Sequence, residues 1–187
     1  MAITPKEKEL VAIGISVAAG CKPCTDHHVA VVRKARATDE EIRQAANDAL
    51  VVRRSAADIM QSHALAHLGE TSQERRFSPF DEMSRIKALT SIGAAFAVNC
   101  VANLEYYLSE AERAGVSQDE ITTIVKLADF IKQKAASHVD RLVGMTEEDD
   151  AQHFQSAGPA VVHDPVRDPV RSETRKASDY AYSTYRD

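Results

Sequence analysis

Hydrophobic and polar positions along the chain recur with helical spacing. No segment shows the strict alternation of hydrophobic and polar residues, bounded by turns, that is typical of paired β-strands. The first helix is predicted over 5–19. Thr4 and Glu7 form a capping box at its start, and Gly20 provides a stop after its end. Residues 10–19 carry no charged side chain, a pattern typical of a helix that is enclosed by other helices.

Two further helices are predicted in the first half of the chain. One runs from the Cys-x-x-Cys segment to about Arg36. The next begins at a second capping box, Thr38 with Glu41, and reaches His67. Because this stretch is longer than the usual globular helix, we expect a break within 51–55.

The second half of the chain repeats the first. A shift of 79 residues aligns eight identical residues within positions 10–42, and the capping box recurs at Ser117 and Glu120. The eight pairs are Leu10/Leu89, Ile13/Ile92, Gly14/Gly93, Ala18/Ala97, Cys21/Cys100, Ala35/Ala114, Glu41/Glu120 and Ile42/Ile121. This indicates a tandem duplication of one helical unit.

These patterns predict four segments. Residues 1–69 form the first helical repeat, 70–81 a linker and 82–144 a second, degenerate repeat. Residues 145–187 form an irregular C-terminal extension that contains Gly-Pro and Asp-Pro pairs and has three tyrosines among its last eight residues. The extension cannot build a core by itself, so we expect it to pack on a neighbouring subunit.

Composition excludes several classes of protein. A chain of 187 residues that is 44% hydrophobic can bury a real core and is not disordered. The net charge of −5 and the lack of a basic block argue against nucleic acid as a partner. No apolar run spans a membrane and no signal core follows the N-terminus, so we expect a cytoplasmic protein.

The segment Cys21-Lys22-Pro23-Cys24 carries the candidate chemistry. Cysteines three residues apart at the start of a helix lie at about 5–5.5 Å between Cα atoms, which permits a reversible disulfide. His28 lies one helical turn beyond Cys24 and could take its proton. Such a pair can also be half of a zinc site.

Other cysteine and histidine residues have simpler interpretations. His63 and His67 lie one turn apart near the end of a helix, where positive charge is favourable. Together with the cysteine pair they could instead complete a zinc site. Cys100 has no partner cysteine near it in sequence, and we expect it to be a small buried apolar residue.

Glu9, the Cys-x-x-Cys pair and His28 together resemble the Glu…Cys-x-x-Cys-x3-His signature of the alkylhydroperoxidase D-like, or carboxymuconolactone decarboxylase-like, family. The resemblance covers residues 4–69 and, in a degenerate form, 82–144. It implies a tandem-duplicated, all-α fold and a homo-oligomer, with a trimer as the expected state. Several family members have histidine directly before the second cysteine. Pro23 stands there in this chain, which bears on the peroxidase rate and not on thiol exchange.

The resemblance also implies roles for the site residues. Cys24 would attack a hydroperoxide, and Cys21 would resolve the sulfenic acid to a disulfide. Glu9 and His28 would relay the proton. Thiol chemistry agrees with this order, because a carboxylate beside sulfur would raise the thiol pKa and Glu9 must therefore act through histidine or water. The second repeat has Ala88, Asn103 and Tyr107 at the positions of Glu9, Cys24 and His28, so it lacks this chemistry.

The resemblance therefore implies a thiol-dependent peroxidase with no cofactor and no metal, which acts on a small peroxide and is reduced by a dithiol or lipoyl-type partner. Two alternatives remain open. One is a carboxymuconolactone decarboxylase-like lyase, which needs no cysteine pair. The other is a redox-sensing or zinc-binding module without turnover.

Overall fold

The computed structural model describes residues 3–70 and 83–144, which form six α-helices. In chain order these are α1 (Pro5–Ala19), α2 (Lys22–Lys34), α3 (Asp39–Ala66), α4 (Arg85–Ala97), α5 (Val101–Arg113) and α6 (Gln118–Leu142). The two described ranges contain no strand, so the predicted all-α fold is confirmed. The predicted extension lies outside the described residues, as does nearly all of the predicted linker.

Local sequence signals place the helix ends. Capping boxes begin α1, α3 and α6, where Thr4, Thr38 and Ser117 each accept a hydrogen bond from the backbone N–H of the glutamate three residues later. Gly20 ends α1 in the left-handed conformation at φ 72°, which glycine adopts without a Cβ penalty. The first helix therefore has the bounds that its sequence predicts.

The expected break in the third helix is wrong, because α3 runs without interruption from Asp39 to Ala66. Its buried residues include Ala45, Ala49, Val52 and Ala56, which continue one helical stripe through the region of the expected break. The helix contains neither glycine nor proline. Tertiary burial along the whole stripe therefore stabilises a helix longer than the usual globular one.

The structural repeat follows the 79-residue shift closely in the middle helices. Moving the bounds of α2 by this number gives those of α5. Two left-handed residues also correspond, since Gly20 (φ 72°) aligns with Asn99 (φ 57°) and Arg36 (φ 61°) aligns with Gly115 (φ 70°). The turns that join the helices are thus conserved between the two halves of the chain in backbone conformation.

The core lies where α1 and α4, the first helix of each half, pack against each other. Both helices are buried over most of their circumference, as residues 10–16 and 88–95 show. The halves also interlock, because α6 packs on α1 and contacts α2, while α3 packs on α4 and contacts α5. The N-terminal end of α2 therefore has a helix of the other repeat beside it.

Gly14 of α1 and Gly93 of α4 allow the close approach of these two central helices. A Cβ atom on Gly14 would lie 2.4 Å from Cγ2 of Thr90 and 3.1 Å from the carbonyl oxygen of Ala45. A Cβ atom on Gly93 would lie 2.6 Å from Cγ1 of Ile15. The distances to Thr90 and to Ile15 are shorter than the normal contact between two carbon atoms. Neither glycine position therefore accepts a side chain unless the neighbouring side chain moves.

We expect Gly14→Ala to lower the free energy of unfolding by about 1–3 kcal/mol, since overpacking outweighs the gain of up to about 1 kcal/mol in helix propensity. Urea titration followed by circular dichroism measures the change. Thr90→Ser removes Cγ2 and keeps the hydroxyl, so the same glycine substitution should cost less in that background. An equal cost in both backgrounds would contradict this account of the packing.

An ionic cluster ties the start of α4 to α1 and α6. The guanidinium of Arg85 donates to Glu7 at 2.5 Å, and its Nε donates to Glu120 at 3.1 Å. Glu120 is 5% exposed, and it also accepts from the backbone N–H of Ser117 at its own helix start. The hydrogen bonds from Arg85 and the Ser117 backbone lower the pKa of Glu120 to about 2.

This cluster predicts a loss of stability in acid. The pKa of Glu120 is lower in the folded chain than its ordinary value of 4.5, so its contribution is complete above that value and disappears as the pH falls towards about 2. Glu120→Gln keeps the capping box and removes the charge. It should cost about 1–3 kcal/mol at pH 7 and much less near pH 3. Urea titrations at both pH values measure this.

The matched control for this prediction is Glu40→Gln, which removes the glutamate of an exposed pair with Arg43. Exposed pairs contribute little, so its effect should stay below about 1 kcal/mol at both pH values. If Glu120→Gln lowered the free energy of unfolding equally at both pH values, the proposed dependence of stability on the charge of Glu120 would be contradicted.

None of the helices within residues 3–70 and 83–144 is both long and apolar enough to cross a membrane.

Candidate active site

A disulfide joins Cys21 and Cys24 at the N-terminal end of α2, with 5.3 Å between the two Cα atoms. Cys21 is the N-cap residue of this helix, and its Sγ accepts a hydrogen bond of 3.2 Å from the backbone N–H of Cys24. Both cysteines are buried, at 6% and 8% exposure. The helix start therefore holds two buried sulfur atoms close together, and the backbone N–H of Cys24 favours a thiolate on Cys21 once the bond is reduced.

Glu9 of α1 and His28 of α2 form a hydrogen-bonded pair, with 2.8 Å between Oε2 of the carboxylate and Nδ1 of the ring. Their side chains are 22% and 13% exposed. A carboxylate accepts, so Nδ1 of His28 donates to it and Nε2 is left as the proton acceptor. The structure thus brings together two residues that lie far apart in the signature. The neighbouring His27 is exposed.

A groove of about 630 Å³ opens beside the disulfide, between the α1–α2 turn and α6. Cys21 lines it. Three cationic side chains, Lys22, Lys132 and Arg141, are among its lining residues, which include no carboxylate. The rest of the lining is largely small or aliphatic, for example Val139. This arrangement suits a ligand that carries both an apolar part and negative charge.

His138 of α6 also lines this groove, and sequence reasoning missed it. One of its ring nitrogen atoms and the sulfur atoms of Cys21 and Cys24 all lie within 4.8 Å of one another. The two histidines considered earlier do not belong to this group, since His63 and His67 contact each other instead, with 5.0 Å between ring centroids. Nothing in the spacing of the chain connects His138 with the cysteines, because it belongs to the other repeat.

The equivalent positions of the second repeat are used for packing. Asn103, which replaces Cys24, is fully buried and donates to the carbonyl oxygen of Val52 at 3.0 Å, while its own Oδ1 accepts from Ser55. Tyr107, which replaces His28, is 4% exposed, and burial raises the pKa of its hydroxyl. These side chains connect α5 to neighbouring helices.

The expectation for Cys100 is wrong. This residue is a free cysteine at the N-cap position of α5, and it is only partly buried. Its side chain makes no capping hydrogen bond.

Comparison with protein families gave a match that covers the first three helices. Residues 2–67 match the model of the carboxymuconolactone decarboxylase family, and this range holds Glu9, both cysteines and His28. Comparison with curated proteins gave no match, and comparison with solved structures gave none either.

Proposed function

We propose that this protein is a thiol-dependent peroxidase of the alkylhydroperoxidase type, since residues 2–67 match the model of the carboxymuconolactone decarboxylase family. The observation that supports this most is the buried Cys21–Cys24 disulfide beside the Glu9–His28 pair. A decarboxylase has no need of two cysteines that open and close one bond. A peroxidase needs both of them, together with a proton acceptor.

In the oxidising half of the cycle, His28 takes the proton of Cys24 through Nε2, while Glu9 holds the ring and stabilises the imidazolium. The Cys24 thiolate attacks the nearer oxygen of the hydroperoxide, the O–O bond breaks, and the leaving alkoxide takes up a proton to become an alcohol. Cys21 then displaces water from the sulfenic acid and closes the disulfide. The Cα separation of 5.3 Å supports this step, because the chain need not refold.

In the reducing half, a dithiol enters along the groove. Cys21 lines the groove, so its sulfur is the atom that an incoming thiolate attacks. Cys24 then leaves as the thiolate, and the second thiol of the reductant releases Cys21. This order returns Cys24 as a thiolate, the form that reacts with the next peroxide. The electron donor is a dithiol of the lipoyl type.

The groove also favours a second candidate, a lyase acting on an anionic lactone. Lys22, Lys132 and Arg141 would attract the carboxylates of such a substrate. The two functions differ in their need for sulfur, because a lyase would keep its activity in Cys24→Ser while a peroxidase would lose it.

The deciding experiment is a thiol titration of the reduced protein before and after a pulse of organic hydroperoxide, followed by turnover with dihydrolipoamide. We expect a loss of two thiols per chain on the pulse and continuous peroxide consumption when the dithiol is supplied. Loss of thiols without turnover would instead identify a redox sensor and would overturn the proposal.

We also propose that the protein is a homo-oligomer, namely a trimer. The described surface exposes large apolar residues on α3 and α6, among them Met60 (61%), Phe130 (55%) and Leu142 (86%). Such residues are candidates for burial between subunits. Light scattering coupled to size-exclusion chromatography should give the mass of a trimer at micromolar concentration. A monomer under these conditions would contradict the expectation.

A further inference from the structure

We propose that the reduced protein binds one zinc ion through Cys21, Cys24 and His138. The three ligand atoms already lie within 4.8 Å of one another although the cysteines are joined as a disulfide. In a tetrahedral zinc site, Zn–S bonds of about 2.3 Å and Zn–N bonds of about 2.0–2.1 Å place the ligand atoms about 3.5–3.8 Å apart. Once the disulfide is reduced, small side-chain movements bring the three atoms to this spacing.

The backbone around the cysteines suits a bound metal. Two cysteines three residues apart, with the first at a helix N-cap, form a common half of zinc sites. The N–H of Cys24 donates to Sγ of Cys21, and such a bond stabilises a metal-bound thiolate from outside the ligand set.

His138 comes from the second repeat and completes a set of two sulfurs and one nitrogen, which suits zinc better than the harder ions calcium or magnesium. Three protein ligands leave the fourth position open. Cys21 and His138 both line the groove, so water or a small anion from the groove can fill that position. The cations Lys22 and Arg141 at the groove favour an anionic fourth ligand, such as chloride or a substrate carboxylate.

Zinc and the disulfide exclude each other, because both use the same two sulfur atoms. Peroxide would therefore release the metal. Two metal-bound thiolates lose two electrons and form the S–S bond, while the hydroperoxide takes up two electrons and two protons and becomes an alcohol and water. The metal is released unchanged as one Zn²⁺ ion. This release step rests on the proposed peroxide reduction, whereas zinc binding by the reduced protein does not.

The test is equilibrium dialysis of the full chain, prepared metal-free and reduced with a phosphine, against zinc chloride. We expect about one zinc per chain in the reduced protein and none above background in the oxidised protein. His138→Asn should weaken zinc binding by at least about tenfold. The matched control is His67→Asn, which alters an exposed histidine outside the group and should bind as the unaltered chain does.

Cobalt(II) gives a second measurement that needs no substitution. The cobalt-loaded, reduced protein should show a thiolate-to-metal charge-transfer band, the intense visible bands of a tetrahedral ion and one paramagnetically shifted imidazole N–H signal. The inference is overturned if the reduced chain retains no zinc. It is also overturned if folded His138→Asn binds zinc like the unaltered chain, or if cobalt shifts no imidazole signal.

The peroxidase proposal and this one can fail separately. A metal-free protein that turns over peroxide and binds no zinc would overturn the zinc site alone. A protein that binds zinc through these three residues and keeps it during a hydrogen peroxide pulse would support the site and count against peroxide reduction. A zinc-sensitive dye follows release during the pulse.

Discussion

Cys24→Ser is expected to reduce peroxide consumption by about 10³-fold or more, because serine offers no thiolate for attack on the O–O bond. Cys21→Ser should behave differently. It leaves the nucleophile in place and removes the resolving thiol, so one sulfenic acid should form per chain and turnover should then stop. A sulfenic acid-specific reagent with detection by mass spectrometry should label Cys21→Ser and not Cys24→Ser.

The control for the cysteine series is Cys100→Ser, which alters the free cysteine outside the disulfide and should keep full activity. Labelling of Cys24→Ser instead of Cys21→Ser would show that the nucleophile and the resolving cysteine are exchanged. The hydrogen bond from the Cys24 amide to Sγ of Cys21 makes that exchange a real alternative, since it favours a thiolate on the first cysteine.

The second large effect is expected at the Glu9–His28 pair. The two side chains are hydrogen-bonded at 2.8 Å and would act as one unit, so Glu9→Gln and His28→Gln should each lower the peroxide rate by about 10²-fold. The double variant should be little slower than either single variant. Stopped-flow measurement of the reduced protein with excess hydroperoxide gives the rate of the first step directly.

His27→Gln is the matched control, because it removes an exposed histidine of the same helix that lies next to His28 in sequence. It should keep the rate of the unaltered chain. The disulfide should still form slowly in the Glu9 and His28 variants under strong oxidant, because the helix sets the cysteine geometry. Full activity in both single variants would mean that Lys22 and the helix N-terminus suffice to activate Cys24.

The helices of this protein were predictable because their signals are local. Capping boxes at Thr4, Thr38 and Ser117 and the left-handed Gly20 act within one turn of the chain, so the sequence alone indicates where helices begin and end. The Cys21–Cys24 spacing is local in the same sense. The signature that added Glu9 and His28 connects two neighbouring helices, and the structure brings those two side chains together.

Tertiary structure decided the features that depend on contacts between the two repeats. The continuity of α3 depends on burial of the stripe through Val52, which no local signal reports. His138 lies beside Cys21 and Cys24 because α6 of the second repeat contacts α2 of the first. Periodicity shows which face of a helix is apolar, but the identity of the neighbouring helix is set only when the two halves pack. The sequence by itself determined where the capped helices begin and that Cys21 and Cys24 lie one turn apart, whereas the packing of α6 on α2 determined which other side chains surround the two cysteines.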